Sequence, residues 1–277
     1  MPAVHIVDEL IAERAPHLAA SPAWPLIRPA LYAVLGYGRA KSMADAVATC
    51  SGAEALQFVS DLLAHKLDVH GLERLPETGR VVIVSNHPTG IADGIAMYDA
   101  VMLRRPDAIF FANADALRVS RRLGEVVIPV EWVEEKRTRE KTRETLTAAR
   151  QALEAERCVV VFPAGRLAQR QKDGGLSDPP WASSAVSLAR KYAAPVIPVH
   201  MTGPWSSLFH FFGGFSQELR DITLFHEMLN KTGKTFGLVF GHPVAPEALD
   251  ADSQAATLTI KAYVEQELPA NPDGRFA

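Results

Sequence analysis

Two short apolar runs, at 81–84 and 158–162, most constrain the fold of this chain. Both are rich in valine and contain no charged residue, which is typical of strands that a parallel sheet buries on both faces. Segments with helical spacing of apolar residues separate these runs from further strand candidates, at 67–72, 108–112, 126–130, 196–201 and 235–240. The alternation predicts an α/β fold with a mainly parallel central sheet flanked by helices.

The apolar pattern of the first 65 residues is almost entirely helical. We therefore expect an N-terminal helical motif over 1–65 and an α/β domain over 66–277. The most apolar early stretch, 23–38, contains Arg28 and falls short of the ~20 apolar residues that a membrane span requires. Its apolar side chains suit either shallow insertion at a bilayer interface or packing against the α/β domain.

Composition excludes several classes of protein. Hydrophobic residues make up 48% and charged residues 22%, which excludes a disordered chain or a coiled coil. The net charge of −3 provides no field that would attract nucleic acid, so we expect no nucleic-acid partner. Cys50 and Cys158 form no CxxC pair and follow no secretory signal, which predicts reduced thiols in the cytoplasm.

The sharpest motif is the segment 85–94, which follows the first apolar run directly and opens a helix. In α/β folds ligands collect where strands end and helices begin, so His87 is expected at the mouth of a crevice. Pro88 and Gly90 predict a tight turn. Asp93 then falls in the first turn of the helix, from which its carboxylate can fold back toward the His87 ring.

Such a pair has a chemical use. A hydroxyl becomes a strong nucleophile when a base removes its proton, and a histidine pKa lies near the working pH. A carboxylate on the far ring nitrogen fixes the tautomer and stabilises the imidazolium. The alternative is that His87 caps the helix and Asp93 only complements its dipole. A metal site is disfavoured because no tight ligand cluster lies nearby in the sequence, and we expect none.

Two later segments carry further candidates. The run at 158–162 leads into a turn in which Gly165 allows close backbone approach and Arg166 offers a planar cation for phosphate or carboxylate. Taken alone, Arg166 is more often a surface ion-pair member. The run 194–200 is bracketed by prolines, which favours a strand start or an edge strand.

In this order and spacing, these segments resemble the glycerophospholipid acyltransferase superfamily, whose bacterial prototype is 1-acylglycerol-3-phosphate acyltransferase. The first motif of that family is Asn-His followed by Asp, and it is matched by Asn86, His87 and Asp93. The third motif, Phe-Pro-Glu-Gly-Thr-Arg, is matched by Phe162, Pro163 and Gly165. The fourth, an apolar run with proline, is matched at 195–199. The resemblance covers residues 67 to 250.

The chain departs from the family pattern at two places. Five residues separate His87 from Asp93 where the family usually has four. Ala164 replaces the glutamate of the third motif, and Arg166 stands where the family has threonine. Both departures, and the Asp-Pro-Pro-Trp segment at 178–181, are similar to a hemolysin-like branch that includes lyso-ornithine lipid acyltransferases. They indicate a subfamily rather than a loss of activity.

The resemblance implies transfer of a fatty acyl group from acyl-CoA or acyl carrier protein to a lysolipid, either lysophosphatidic acid or a lyso-ornithine-type lipid. The thioester is a co-substrate, and no cofactor is implied. His87 is expected to be the general base and Asp93 its partner. The expected substrate contacts are Asn86, Thr89, Gly90, Phe162, Pro163, Gly165 and Arg166. Two rivals are a non-catalytic lipid-binding protein of the same fold and a hydrolase that releases the acyl chain to water.

Access to a lipid substrate raises two further expectations. Arg118, Arg121 and Arg122 either assist Arg166 with the headgroup or form a solvated, lipid-facing stripe, and the stripe is favoured. The aromatic stretch 205–215 is a candidate acyl-chain groove or membrane rim, although such stretches more often form core. We therefore expect a cytoplasmic protein, peripheral on the inner face of the cell membrane, whose partners are a lysolipid, an acyl thioester, the membrane surface and, as one of two thioester donors, acyl carrier protein.

Overall fold

The computed structural model describes residues 4–131, 136–171 and 175–276, and within these ranges a seven-stranded sheet forms the centre of the protein. The strands of the described chain are β1 (Lys66–His70), β2 (Val81–Ser85), β3 (Ile109–Asn113), β4 (Val127–Val130), β5 (Cys158–Val161), β6 (Gln169–Arg170), β7 (Leu176–Ser177), β8 (Val196–Thr202) and β9 (Thr235–Phe240). The short strands β6 and β7 pair with each other in a separate hairpin.

The order of strands across the sheet is β1-β9-β8-β2-β5-β3-β4. All neighbouring pairs are parallel except β8 and β9, which pair antiparallel. The prediction of a mainly parallel sheet flanked by helices is confirmed. Because of the antiparallel step, β9 and β1 run against the other strands, and β1 begins at the edge where β2 ends.

The helices of the described chain are α1 (Ile6–Arg14), α2 (Pro16–Ala20), α3 (Trp24–Val34), α4 (Tyr37–Val47), α5 (Gly52–Leu63), α6 (Ile91–Val101), α7 (Asp115–Val119), α8 (Arg139–Glu154), α9 (Ser184–Lys191), α10 (Ser207–Gly213), α11 (Gln217–Ile222), α12 (Leu224–Leu229), α13 (Ser253–Ala262) and α14 (Leu268–Ala270). Local sequence sets several of their starts. At α5, for example, Ser51 Oγ accepts from the backbone N–H of Glu54, and the Glu54 carboxylate accepts from that of Ser51.

The strand β2 shows why the apolar runs are unbroken. Its side chains alternate between the two faces of the sheet. Val81 and Ile83 join a buried cluster with α6, whereas Val82 and Val84 join another with α8, α9 and α13. Both faces are covered, which accounts for the unbroken apolar run at 81–84 before the buried Ser85 that ends the strand.

The helices before β1 pack on the end of α6 and on α12. Val7 of α1 and Met43 of α4 share a buried cluster with Ile95 of α6 and Met228 of α12. α3 has no buried residue. Some of its side chains pack against this cluster, whereas Leu26 is 84% exposed. The packing alternative for the stretch 23–38 therefore holds for one face of α3. The domain boundary after residue 65 stays a prediction.

The structure differs from the sequence expectations at two places. The aromatic stretch 205–215 contains the helix α10, and its Phe211 and Phe215 are each 65% exposed, so the core alternative is wrong for these two residues. Pro198 lies in β8, an interior strand between β9 and β2, so the edge-strand alternative is wrong. The carbonyl of Pro198 accepts from the N–H of Gly241, just beyond the end of β9, so the N–H that proline lacks falls at the end of the β8–β9 ladder and not in its middle.

No helix in the described parts of the chain combines the length and apolar character needed to traverse a bilayer.

Candidate active site

The segment that follows β2 is tied to the neighbouring strand by Asn86. The side-chain amide of Asn86 donates to the carbonyl of Met201 at 2.9 Å and accepts from the N–H of Met201 at 2.7 Å. Both residues are buried. Asn86, predicted as a substrate contact, therefore holds the start of the loop against β8 through two hydrogen bonds.

Gly90 ends this loop in a conformation that other residues avoid. Its φ of +99° and ψ of −141° lie in a region open essentially to glycine alone. A Cβ atom at this position would also lie 3.1 Å from the side chain of Leu167. The glycine thus gives the loop its shape and allows close approach of the segment that follows β5.

Asp93 is fully buried at the third position of α6, and the loop before it provides its hydrogen bonds. Its Oδ2 accepts from the backbone N–H groups of Thr89 and Gly90, at 2.8 and 3.0 Å. Its Oδ1 accepts from the hydroxyl of Thr89 at 2.6 Å. Three donors therefore satisfy the hydrogen-bonding capacity of this buried carboxylate. The alternative expected His87 to cap the helix and Asp93 only to complement its dipole; in the structure it is Asp93 that binds the backbone N–H of Gly90 at the start of α6, and Asp93 also faces His87.

The Nδ1 atom of His87 lies 2.9 Å from Oδ2 of Asp93. The contact is not aligned along the N–H direction, so it is a close ion-pair contact and not a formed hydrogen bond. Such contacts at catalytic sites often straighten when substrate binds. The His87 side chain keeps 16% of its surface exposed, and its other nitrogen, Nε2, bonds to no described residue. That nitrogen is the one available to a substrate hydroxyl.

The turn after β5 lies directly against this histidine. The rings of Phe162 and His87 are 4.6 Å apart between centroids and tilted by 30°. Phe162 accepts from the N–H of Gly165 at 3.0 Å, which closes a β-turn with Pro163 at its second position. Gly165 then takes a φ of +63°, a left-handed conformation that favours glycine. The first and third motifs therefore meet, as the sequence predicted.

Arg166 leaves this turn toward solvent. Its side chain is exposed, and it forms no ion pair with any residue of the described ranges. Two residues later, the N–H of Ala168 donates to the carbonyl of His87 at 2.9 Å, which keeps Arg166 near the histidine loop. A cation with no carboxylate partner beside the site is available to an anionic headgroup.

Of the three other basic candidates, Arg118 and Arg122 are already paired, whereas Arg121 is exposed and has no ion pair within the described residues. Arg118 bonds to Glu13 at 2.7 Å and also contacts Asp115. Arg122 bonds to Glu125 at 2.9 Å. Pairing with acidic side chains makes these two arginines poor headgroup ligands, and the geometry agrees with the favoured alternative of a solvated stripe.

Sequence reasoning missed several residues that build the site. Asp178 binds the backbone N–H of His87, and Ser206 donates its hydroxyl to the carbonyl of Thr89 at 3.0 Å. The ring of His65, just before β1, contacts the ring of Phe236 in a tilted arrangement, and the charge of Asp93 acts on His65. Burial lowers the pKa of His65, an effect that Asp93 opposes only partly. Only Asp178 had a signal in the sequence, through the segment 178–181.

Neither cysteine takes part in this arrangement. Burial raises the pKa of the Cys158 thiol to about 12, so it is not ionised at neutral pH and is a poor nucleophile. Cys50 lies after α4, where its thiol donates to the carbonyl of Ala46. Within the described residues, no three His, Cys, Asp or Glu side chains are grouped so that they could hold a metal ion.

Comparison with known families agrees with the geometry. The acyltransferase family profile matches residues 66–202, which span both motifs of the site. This protein is an acyltransferase. The family resemblance inferred from Asn86, His87, Asp93 and the turn after β5 is confirmed.

Two relatives of this acyltransferase are named lyso-glycine lipid O-acyltransferase. The protein from Phocaeicola vulgatus is 27% identical over 205 residues, which cover 72% of this chain and 71% of that protein. The protein from Bacteroides thetaiotaomicron is 25% identical over 211 residues, which cover 74% of this chain and 75% of that protein.

Among solved structures, the acyltransferase is similar to the 1-acyl-sn-glycerophosphate (LPA) acyltransferase PlsC from Thermotoga maritima. The match has a TM-score of 0.51, covers 94% of this chain and 97% of that one, and has 14% sequence identity. At this identity the likeness supports the fold alone.

Proposed function

We propose that this acyltransferase moves a fatty acyl group from an acyl thioester to the hydroxyl of a lysolipid, with His87 as general base and Asp93 as its partner. The observation that carries the proposal is the 2.9 Å contact between His87 Nδ1 and Asp93 Oδ2 at the end of β2. Acyl-CoA and acyl carrier protein both present the thioester that this chemistry needs, and no cofactor is required.

The proposed reaction uses one proton and no enzyme nucleophile. Nε2 of His87 takes the proton of the acceptor hydroxyl while the hydroxyl oxygen attacks the thioester carbonyl carbon. Asp93 stabilises the imidazolium and keeps Nδ1 protonated. The tetrahedral intermediate then collapses, the C–S bond breaks, and the leaving sulfur takes the proton back from Nε2. The products are the acylated lipid and a free thiol.

For the acceptor, we favour a lysolipid with an amino-acid headgroup over lysophosphatidic acid. Two relatives carry the name lyso-glycine lipid O-acyltransferase, and Ala164 removes the glutamate of the usual third motif. Arg166 is proposed as the headgroup contact because the planar guanidinium group matches the geometry of both carboxylate and phosphate. Gly90, Thr89, Phe162, Pro163 and Gly165 would shape the surrounding wall.

We further propose that the protein reaches its lipid from the membrane surface. α3 exposes Leu26 at 84% and Val34 at 62%; Phe211 of α10 and Phe215, just after that helix, are each 65% exposed. Exposed large apolar side chains next to basic residues, here Arg28 of α3, suit a bilayer interface. A peripheral position on a membrane is consistent with these surfaces.

The test is an acyl-transfer assay on the purified protein with labelled acyl-CoA, labelled acyl carrier protein and a panel of lysolipids. We expect acceptor-dependent product from the wild type and none from His87→Ala, with circular dichroism unchanged. His17→Ala is the matched control, because the His17 side chain is 95% exposed and pairs only with Glu218 on the surface. Full transfer by His87→Ala contradicts the mechanism.

The same assay separates the two rivals. A lipid-binding protein of this fold would retain acyl lipid without forming product. A hydrolase would release labelled fatty acid at the same rate with or without an acceptor.

A further inference from the structure

A second buried carboxylate, Asp178, holds the backbone of His87. Its two oxygens lie 3.1 and 3.2 Å from the His87 nitrogen and accept its N–H. Oδ2 also accepts from the indole N–H of Trp181 at 2.9 Å. Only 6% of Asp178 is exposed. The two residues are 91 positions apart in the chain, so this contact is made by the fold and not by local sequence.

His87 is thus held from two sides by the segment that connects β5 with α9. Asp178 binds its N–H, and Ala168 donates to its carbonyl at 2.9 Å. With both backbone groups bound, the peptide planes on either side of His87 are fixed, and so is the direction of its Cα–Cβ bond. That direction determines where the ring can lie, and in this structure the ring lies between Phe162 and Asp93.

The surroundings of Asp178 disfavour the ionised form of its carboxylate. Among the residues that the structure describes, no Lys or Arg pairs with its carboxylate; Lys261 instead bonds to Glu265 and Ser177. Glu265 itself accepts from the N–H of Asp178 at 2.8 Å, so a second carboxylate lies close by. Burial and, to a smaller extent, Glu265 raise the pKa of Asp178 to about 6, against the opposing effects of Trp181 and His87. Costly buried charges of this kind collect at functional sites.

We propose that Asp178 is a positioning residue for the acyl transfer: its carboxylate orients His87 through the backbone so that Nδ1 faces Asp93 and Nε2 faces the substrate. This inference rests on the proposed role of His87 as general base. The competing view is that Asp178 only anchors Trp181 at the start of α9, in which case His87 would not depend on it.

The variant Asp178→Asn separates the two views. Asparagine keeps the size of the side chain but has one acceptor oxygen, and its NH₂ group meets a donor with a donor. In either orientation of the amide, the NH₂ group faces the N–H of His87, because both oxygens of Asp178 lie within 3.2 Å of that nitrogen in the wild type. Trp181→Phe is the matched variant, since it removes the indole N–H and leaves the bond to His87 intact.

For Asp178→Asn we expect kcat to fall by about tenfold or more while both KM values stay within about threefold, the signature of an interaction used in the transition state. Asp178, which faces His87 and Glu265 with Lys261 behind them, takes up its proton near pH 6. The pH–rate profile of Asp178→Asn should therefore lose the component that the wild type shows near pH 6. Trp181→Phe should keep both kcat and that component. Equal kcat losses in the two variants, or wild-type kcat in Asp178→Asn, would overturn the proposal.

A second measurement is independent of turnover. Nitrogen-15 NMR of the His87 imidazole reports which ring nitrogen carries the proton. We expect one tautomer, protonated at Nδ1, in the wild type and in Trp181→Phe, and a mixture in Asp178→Asn. If the wild type transfers no acyl group, the proposed function fails, but an unchanged His87 spectrum in Asp178→Asn would separately overturn the positioning role.

Discussion

Oδ2 of Asp93 lies 2.9 Å from Nδ1 of His87, although five residues separate them in the chain. The extra residue, relative to the usual family spacing, is accommodated in a loop whose N–H groups at Thr89 and Gly90 both bind the same carboxylate. The longer loop therefore still brings the acid and the base together.

The first prediction concerns Asp93→Asn. The amide removes the negative charge beside His87 and allows the wrong ring tautomer, so we expect kcat to fall by about 10²- to 10⁴-fold with little change in KM. Asp99→Asn, on the same helix α6, is the control and should retain activity. Steady-state kinetics with one acyl donor and one lysolipid measures both, and wild-type kcat in Asp93→Asn would exclude a role for the pair.

The second prediction concerns Gly90→Ala. Because φ is +99° and Leu167 occupies the space of a Cβ atom, we expect a loss of about 1–3 kcal/mol in the free energy of unfolding, together with reduced activity. Gly94→Ala provides a contrast within α6: no atom lies within 4 Å of its added Cβ. There we expect a gain of about 0.5–1 kcal/mol. Urea denaturation of both variants is the measurement, and equal stabilities would contradict the assignment.

The third prediction concerns Arg166→Gln. The side chain is exposed and has no ion-pair partner within the described residues, so the free energy of unfolding should change by less than about 0.5 kcal/mol. Loss of a charged contact to the headgroup should raise the KM for the lysolipid by about tenfold while the KM for the thioester is unchanged. Arg143→Gln, at an exposed arginine of α8, is the control. Unchanged lysolipid KM in Arg166→Gln would remove Arg166 from the headgroup site.

The fourth prediction concerns membrane contact. The double variant Leu26→Glu/Val34→Glu changes two exposed residues of α3, so its fold should be preserved. Each apolar side chain that leaves water contributes about 1.5–3 kcal/mol, so binding to anionic phospholipid vesicles should weaken by at least about tenfold. Leu103→Glu is the control, since Leu103 is 79% exposed beyond the end of α6. Vesicle flotation that does not distinguish the two variants would place the membrane contact elsewhere.

The fifth prediction concerns pH. Because the pKa of Asp178 is raised from 3.8 to about 6, the folded state binds this proton more tightly than the unfolded chain. The associated stability is present at low pH and is lost as pH rises through 6. Between pH 5 and pH 8 the wild type should therefore lose about 1–2 kcal/mol of unfolding free energy relative to Asp178→Asn. Urea titrations of the two proteins at both pH values measure this difference, and parallel curves would contradict the raised pKa.

The sequence was most informative where one physical constraint dominates. A strand buried on both faces must be apolar throughout, so β2 and β5 could be located from their residues. The approach of Asp93 to His87 could be predicted because both belong to one strand–loop–helix unit, in which separation along the chain limits separation in space.

Contacts between distant segments could not be predicted in the same way. The bond between Asp178 and His87 depends on how the chain crosses over after β5, and no periodicity encodes it. For the run 194–200, the strand-start alternative agrees with β8, which begins directly after Pro195, but the edge-strand alternative was wrong because the position of β8 inside the sheet is set by its partners β9 and β2. The ion pairs of Arg118 likewise require α1 and α7 to be side by side.

The reversed direction of β1 has a practical consequence for anyone engineering this protein. The first residue of β1 follows His65. The ring of His65 contacts that of Phe236, and the charge of Asp93 acts on it. The connection between the helices α1–α5 and the sheet therefore lies close to Asp93 of the candidate active site. A protease site, an affinity tag or a split point inserted at this junction would disturb the chemistry before it separated the two regions.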